Sequence, residues 1–336
     1  MLRRTVLGVL IAGGLAAPAA ANDTTAELAT GGLIYMRSDQ VAMESEDLYI
    51  SPTEVRVQYR FRNRSDADVE TIVAFPMPDI KADPYTITSV PQASTDNFLG
   101  FTVEVDGSSI EPQLDQRAVA LGVDVTELLS EHGVPLWPYL DSTREAIEAL
   151  PPEVLENWYA RGIVILEEFD DGSGWKRVWS PFWELKSTYW WMMTFPAGRP
   201  VEVRHSYTPS VGGTVDVTFL EDGKARGERY DEYKAKYCMD GGFVRAVEAA
   251  VARQRGMNPA YTESWISYVL TTGGNWATNI EKFRLTIDKG SPKNLVSFCG
   301  TGVKKTGPTT FEMTAQDFYP QRDLDILILQ PLEMGN

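Results

Sequence analysis

Val55-Arg-Val57-Gln-Tyr59-Arg-Phe61 alternates apolar and polar side chains without a break. Successive strand residues point to opposite faces, so this stretch predicts a half-buried strand of an antiparallel sheet. Turn chemistry follows at Asn63-Arg64-Ser65-Asp66, and Val69 to Phe75 returns as a second β-rich run. Phe101, Val103 and Val105 repeat the alternation and run into Asp106-Gly107, a hairpin signal. The pattern comes back at Val201, Val203, His205 and Tyr207, and at Val215, Val217 and Phe219. Later β-rich runs are Trp265 to Leu270, Phe283-Leu285-Ile287, Leu295 to Phe298, Thr310 to Met313 and Asp325 to Leu329. Short strands parted by Gly, Pro, Asn and Asp favour sandwiches over a parallel sheet.

The period changes between about residues 115 and 162. Asp124 and Glu127 predict the start of a short helix carrying Leu128 and Leu129, with Gly133 as its stop. Ser142-Thr143-Arg144-Glu145 matches a capping box, followed by Ala146, Ile147 and Leu150 at helical spacing. Pro152 opens a third helix with Leu155, Trp158 and Tyr159 on one side, and Gly162 closes it. Glu228 to Arg255 is the longest helical candidate, interrupted by Gly241-Gly242 and stopped by Gly256. The expectation is a mainly β protein with a helical insertion, built as two β-sandwich-like domains linked by a helix. Residues 22–222 form the N-terminal sandwich, interrupted at about 115–162; residues 223–258 are the linking helix and 259–336 the C-terminal β-rich domain.

The first 21 residues read as a secretory signal peptide. Arg3 and Arg4 make a positive start, Thr5 to Leu15 is apolar, and Pro18 precedes the small residues Ala19-Ala20-Ala21. The apolar run falls short of the ~20 residues a membrane span needs. Loss of this leader removes two arginines and takes the formal charge of -16 to about -18. The expected product is periplasmic or secreted and not an integral membrane protein. In an oxidising space Cys238 and Cys299 read as a disulfide. Thirty-one basic residues against 47 acidic ones argue against a nucleic-acid partner, whose phosphates call for clustered cations. Two histidines and two cysteines leave little for a metal site, and no sequence feature calls for a cofactor.

Three strings carry a family likeness. They are Asn22-Asp23-Thr24-Thr25-Ala26-Glu27-Leu28 with Gly31-Gly32-Leu33; Met43-Glu44-Ser45-Glu46-Asp47-Leu48-Tyr49-Ile50 with Phe75-Pro76-Met77-Pro78-Asp79; and Thr272-Gly273-Gly274-Asn275-Trp276 with Phe283 to Gly290. Together they resemble the bacterial family known as domain of unknown function 4424. The resemblance implies an exported protein with no assigned activity, so it brings no catalytic residues. A second pattern runs from Tyr59-Arg-Phe61-Arg-Asn63 through Phe75-Pro76-Met77-Pro78 to Val105-Asp106-Gly107. It is similar to the non-catalytic β-sandwiches of the vault/inter-alpha-trypsin type, although the helical insertion departs from them.

His205, in phase with Val201, Val203 and Tyr207, is expected inward as a satisfied core residue; His132 beside Gly133 is expected to cap a helix end. Neither has a nucleophile at a recognised spacing. The acidic clusters Glu44-Ser45-Glu46-Asp47, Glu167-Glu168 with Asp170-Asp171, and Glu221-Asp222 leave an envelope glycan hydrolase as the enzymatic alternative. The feature furthest from background is aromatic: Trp158, Trp175, Trp179, Trp183, Trp190 and Trp191 fall within 34 residues. Exposed, they would make a binding surface for an envelope protein or a glycan; covered by the insertion, they would make a second small core. The functional expectation is a non-enzymatic binding or assembly module of the cell envelope.

Overall fold

The computed structural model describes residues 22–29, 32–82, 87–89, 92, 95, 97–170, 172–254 and 259–332. The leader and the helix stop expected at Gly256 lie outside the described residues. The chain is mainly β, as expected.

Val55–Asn63 is a strand whose odd-numbered residues are buried and whose even-numbered ones face water. It sits inside a large eight-stranded sheet. The order across that sheet is Lys304–Lys305, Thr310–Phe318, Ile280–Asp288, Val41–Ile50, Val55–Asn63, Pro200–Tyr207, Thr102–Val105 and Ser108–Ile110. The last two strands join at Asp106-Gly107, where φ of 48° and 78° gives the left-handed pair that a tight two-residue hairpin requires. A second sheet is centred on Glu184–Phe195, flanked by Gln113–Ala120 and Val69–Pro76, and is extended by Thr24–Ala29. A third holds Leu295–Phe298, Leu324–Pro331, Tyr261–Tyr268, Val211–Thr214 and Ile87–Ser89.

The inner face of the large sheet packs on both other sheets. Phe61, Val203 and Leu285 from the first share one core with Phe75 and Trp191 from the second and Ile326 and Ile328 from the third. Leu327 and Leu329, out of phase with those isoleucines, enter a separate core beneath two helices. Burial on both faces explains why Ile326-Leu327-Ile328-Leu329 is apolar throughout.

The expected division near residues 222 and 259 is not where the sheets divide. Ile280–Asp288 pairs in parallel with Val41–Ile50, so late strands complete the sheet that the early ones begin. Parallel partners need a long connection, and here more than 200 residues intervene, which leaves no local pattern to read.

Five α-helices are described: α1 Thr126–Glu131, α2 Asp141–Glu148, α3 Pro152–Ala160, α4 Glu228–Tyr237 and α5 Gly241–Arg253. Pro152 starts α3 and Gly162, at φ 66°, follows its end, as expected. Ser142 does not cap α2: the helix begins at Asp141, and the Thr143 hydroxyl bonds Trp137 O at 2.6 Å instead. The expected single linking helix is two. Cys238 leaves α4 with φ 52°, and Asp240 caps α5 by accepting from Phe243 N at 2.7 Å. Gly241-Gly242 therefore opens a helix and does not interrupt one. The strand expected through Val215, Val217 and Phe219 stops at Thr214. Asp216 Oδ1 and Glu263 Oε1 take the amides of Val217 and Thr218, which a ladder would otherwise use.

Cys238 and Cys299 form the disulfide, with a sequence separation of 61. Closing a loop of that length restricts the unfolded chain by about 4 kcal/mol in the chain-entropy model. No helix among the described residues is long and apolar enough to cross a membrane.

Candidate contact surfaces

The insertion starts later than its sequence pattern suggested, because Gln113–Ala120 is a strand of the second sheet. It ends in a hairpin of Val164–Asp170 and Trp175–Pro181. Its helices close a small core of their own: Leu129, Ile147, Leu155, Trp158, Ile163, Val164 and Trp183 are buried together. Trp183 Nε1 donates to Leu136 O at 2.8 Å, which satisfies the indole inside that core.

The six tryptophans therefore separate. Trp158 and Trp183 belong to the insertion core, and Trp191 belongs to the main core. Trp190, one residue earlier on the same strand, points the other way and is half-buried. Trp179 is half-buried, packed edge-on against Tyr159 with centroids 5.7 Å apart. Trp175 alone of the six is open to solvent, at 77% exposure.

Trp175 stands at the tip of the hairpin, opposite Asp170, with Phe169 on the other face at 46% exposure. The turn is held by Asp170 Oδ1, which accepts from Gly172 N at 2.9 Å and Gly174 N at 3.2 Å. Lower down, Glu168 pairs with Arg177 at 2.9 Å. Two large apolar side chains are thus presented on a hairpin whose base is anchored by a core. Leaving such a side chain in water forgoes about 1.5–3 kcal/mol of burial.

A second surface lies on the outer face of the large sheet, a cleft of about 530 Å³. The register places Arg284, Asp47, Gln58, Arg204 and Glu104 side by side across five strands. The neighbouring row reads Thr286, Tyr49, Arg56, Ser206 and Thr102. Each arginine is already paired: Arg284 with Glu312 at 2.7 Å, Arg204 with Glu202 at 3.4 Å, and Arg56 with Glu54 at 3.1 Å. Arg56 also lies 4.5 Å over the Tyr49 ring. Asp47 and Glu104 are three strand spacings apart, about 14 Å at ~4.8 Å per strand. Paired-acid glycosidases hold their two carboxyl groups within roughly 5–9.5 Å, so this row does not form that geometry.

The other acids meet structural partners. Glu44 bridges Arg60 and Arg62, and the hydrogen bonds to Glu44 hold its carboxyl below the usual range against the opposing effect of burial. Glu167 accepts from Ser180, and Asp222 pairs with Arg226. Glu46 is different: it is buried, and desolvation pushes its carboxyl up to about 8. His132 caps α1, its Nδ1 2.9 Å from Leu128 O. His205 is in the core as expected but is not satisfied there: neither ring nitrogen has a hydrogen-bond partner, and burial pushes its pKa down to about 3.

A family model described as "Domain of unknown function (DUF4424)" matches residues 21–327. The chain belongs to that family. No curated protein matches the DUF4424 chain. Among solved structures it is similar to a candidate nutrient binding protein of Legionella pneumophila. That match has 12% identity and a TM-score of 0.44, covering 92% of this chain and 70% of the other. It is also similar to an M1 zinc metallopeptidase of Deinococcus radiodurans, at 9% identity and a TM-score of 0.24, covering 87% of this chain and 43% of the peptidase.

Sequence reasoning missed both the five-strand row and the buried acids. Each residue of the row stood at an outward position of its own strand, but which strands adjoin was not legible. Glu46 was legible in principle. A register irregularity between Met43 and Ser45 shifts the inward phase from Val41 and Met43 to Leu48 and Ile50. The phase change in the apolar residues implies such a bulge, and the bulge turns Glu46 inward.

Proposed function

We propose that this DUF4424 protein is an exported, non-enzymatic contact module of the cell envelope, with the insertion hairpin as its contact element. The observation that carries the reading is Trp175, 77% exposed at the tip of a braced hairpin with Phe169 behind it. A fold that buries Trp158, Trp183 and Trp191 while presenting Trp175 spends its apolar surface unevenly, and exposed aromatic anchors are what interfaces use. The leader-like first 21 residues support export. The negative charge of the chain favours a partner other than anionic lipid or nucleic acid.

The test is a photo-crosslinking residue placed at position 175 in cells, with position 215, exposed but far from the hairpin in sequence, as control. The expected result is a discrete adduct at 175, to envelope protein or glycan, that position 215 does not give. Equal patterns at both positions, or none at 175, would remove the hairpin from the contact.

A further inference from the structure

Asn22 and Asp23 have no solvent-exposed surface. The Asn22 backbone nitrogen donates to Thr272 Oγ1 at 2.9 Å, and Thr272 Oγ1 returns a bond to Asn22 O at 2.8 Å. The Asn22 side-chain amide donates to Glu46 Oε2 at 3.2 Å and to Leu270 O at 3.4 Å. Its Oδ1 accepts from the Tyr59 hydroxyl, which also meets the Tyr268 hydroxyl at 3.0 Å. Trp276 Nε1 donates to Asp23 O at 2.8 Å. One residue thus ties two adjacent strands to the 3-10 turn Thr271–Asn275.

The polar groups of this knot are not all paired. Both oxygens of the Asp23 carboxyl and Glu46 Oε1 are buried without a hydrogen-bond partner. The nearest basic group is His205, whose Nε2 is 3.6 Å from Asp23 Oδ1, beyond hydrogen-bond reach. No ion pair from Lys or Arg to Asp23 or Glu46 occurs among the described residues. Without a cation, burial holds both carboxyls protonated, Glu46 pushed up to about 8 and Asp23 well above the usual carboxylate range; a cation beside them would let them ionise.

The sequence can supply one. Ala19-Ala20-Ala21, the small residues a leader-removing peptidase accepts, end immediately before Asn22. Hydrolysis of the Ala21–Asn22 bond sends the hydroxyl of water to the Ala21 carbonyl carbon and hydrogen to the Asn22 nitrogen, which takes a further proton from solvent. The nitrogen that held one hydrogen then holds three and carries a positive charge. One N–H is engaged by Thr272, which leaves two to be placed; the unpartnered carboxyl oxygens belong to Asp23, the next residue, and to Glu46, which already accepts from the Asn22 side-chain amide.

We propose that the chain is cut between Ala21 and Asn22 and that the new α-ammonium of Asn22 is the buried counter-ion of Asp23 and Glu46. Leader removal then completes the core, so that the fold is fully stable only after processing. This rests on the leader reading given above and not on the hairpin.

The experiment begins with the full chain secreted from cells and its first residue read by intact mass and N-terminal fragment ions; Asn22 is expected. A second full-length version carries Gly-Ser inserted between Ala21 and Asn22, so that the ammonium is displaced outward. It is expected to melt lower by about 5 °C, on a scale of roughly 2–4 °C per kcal/mol for domains of 150–250 residues. In the Asp23→Asn, Glu46→Gln background the same insertion is expected to cost less than a third of that. In the native protein the α-amine is expected to resist an amine-acetylating reagent and to react in urea, a readout that needs no variant. A chain never cut sinks the export reading together with this one. A first residue other than Asn22, an α-amine acetylated equally in both states, or an insertion costing nothing or the same in both backgrounds overturns the counter-ion alone.

Discussion

His205→Leu tests the electrostatics of the core directly. The imidazole is enclosed by Phe75 at 4.8 Å, Phe101 at 5.1 Å, Trp191 at 5.4 Å and Tyr59 at 5.5 Å, measured between ring centroids. The titratable groups facing it are Asp23, 3.6 Å from Nε2, and the Tyr59 hydroxyl on a neighbouring strand. With neither nitrogen hydrogen-bonded, burial pushes the folded pKa down to about 3, against ~6.5 in an unfolded chain. Because the folded value is depressed, the unfolded chain binds more protons between those two values. The contribution of His205 is therefore fully present above about pH 6.5 and drains away as pH falls toward 3. Each pH unit in that window is worth about 1.4 kcal/mol, so at pH 4.5 the residue costs about 3 kcal/mol relative to pH 7. Leucine has similar volume and no proton to gain, and at pH 7 it should change stability by less than ~1.5 kcal/mol. Urea unfolding of both proteins from pH 8 to pH 4 gives the difference in free energy, in which the other carboxylates cancel. The leucine variant should gain on wild type by about 1.4 kcal/mol per unit below pH 6.5. A flat difference would mean the imidazole is not desolvated; a slope of opposite sign would mean it is protonated against Asp23 in the fold.

Other substitutions separate core from surface. Trp183→Ala removes a buried indole and its bond to Leu136 O, and should cost about 3–5 kcal/mol in urea unfolding, whereas Trp175→Ala, at an exposed position, should stay within ~0.5 kcal/mol. Reducing Cys238–Cys299, or replacing both by Ser, should lower stability by about 4 kcal/mol, read as a shift in the urea midpoint. Gly162→Ala places a Cβ 2.6 Å from Leu121 Cδ1 at a φ of +66°, and should destabilise by about 1–3 kcal/mol, visible as a lower melting temperature. A melting curve unchanged by that alanine would show that the end of α3 yields freely.

What the amino-acid sequence determined by itself was local: alternation named the strand Val55–Asn63, Asp106-Gly107 named its hairpin, and Pro152 and Gly162 bounded α3. These signals act over a few residues, through φ preference and the two-residue period of a strand. The inward phase of His205 was legible for the same reason; its lack of a partner was not, because partners come from other elements. Only the tertiary structure decided which tryptophans are covered, since Trp158, Trp183 and Trp191 are hidden by segments distant in sequence while Trp175 is not. It also decided that Ile280–Asp288 lies beside Val41–Ile50, and that Asn22, Asp23 and Glu46 meet in one dry space. Sheet neighbours and buried charge clusters are set by which faces find each other when the whole apolar surface leaves water, and that choice is made by the entire chain at once.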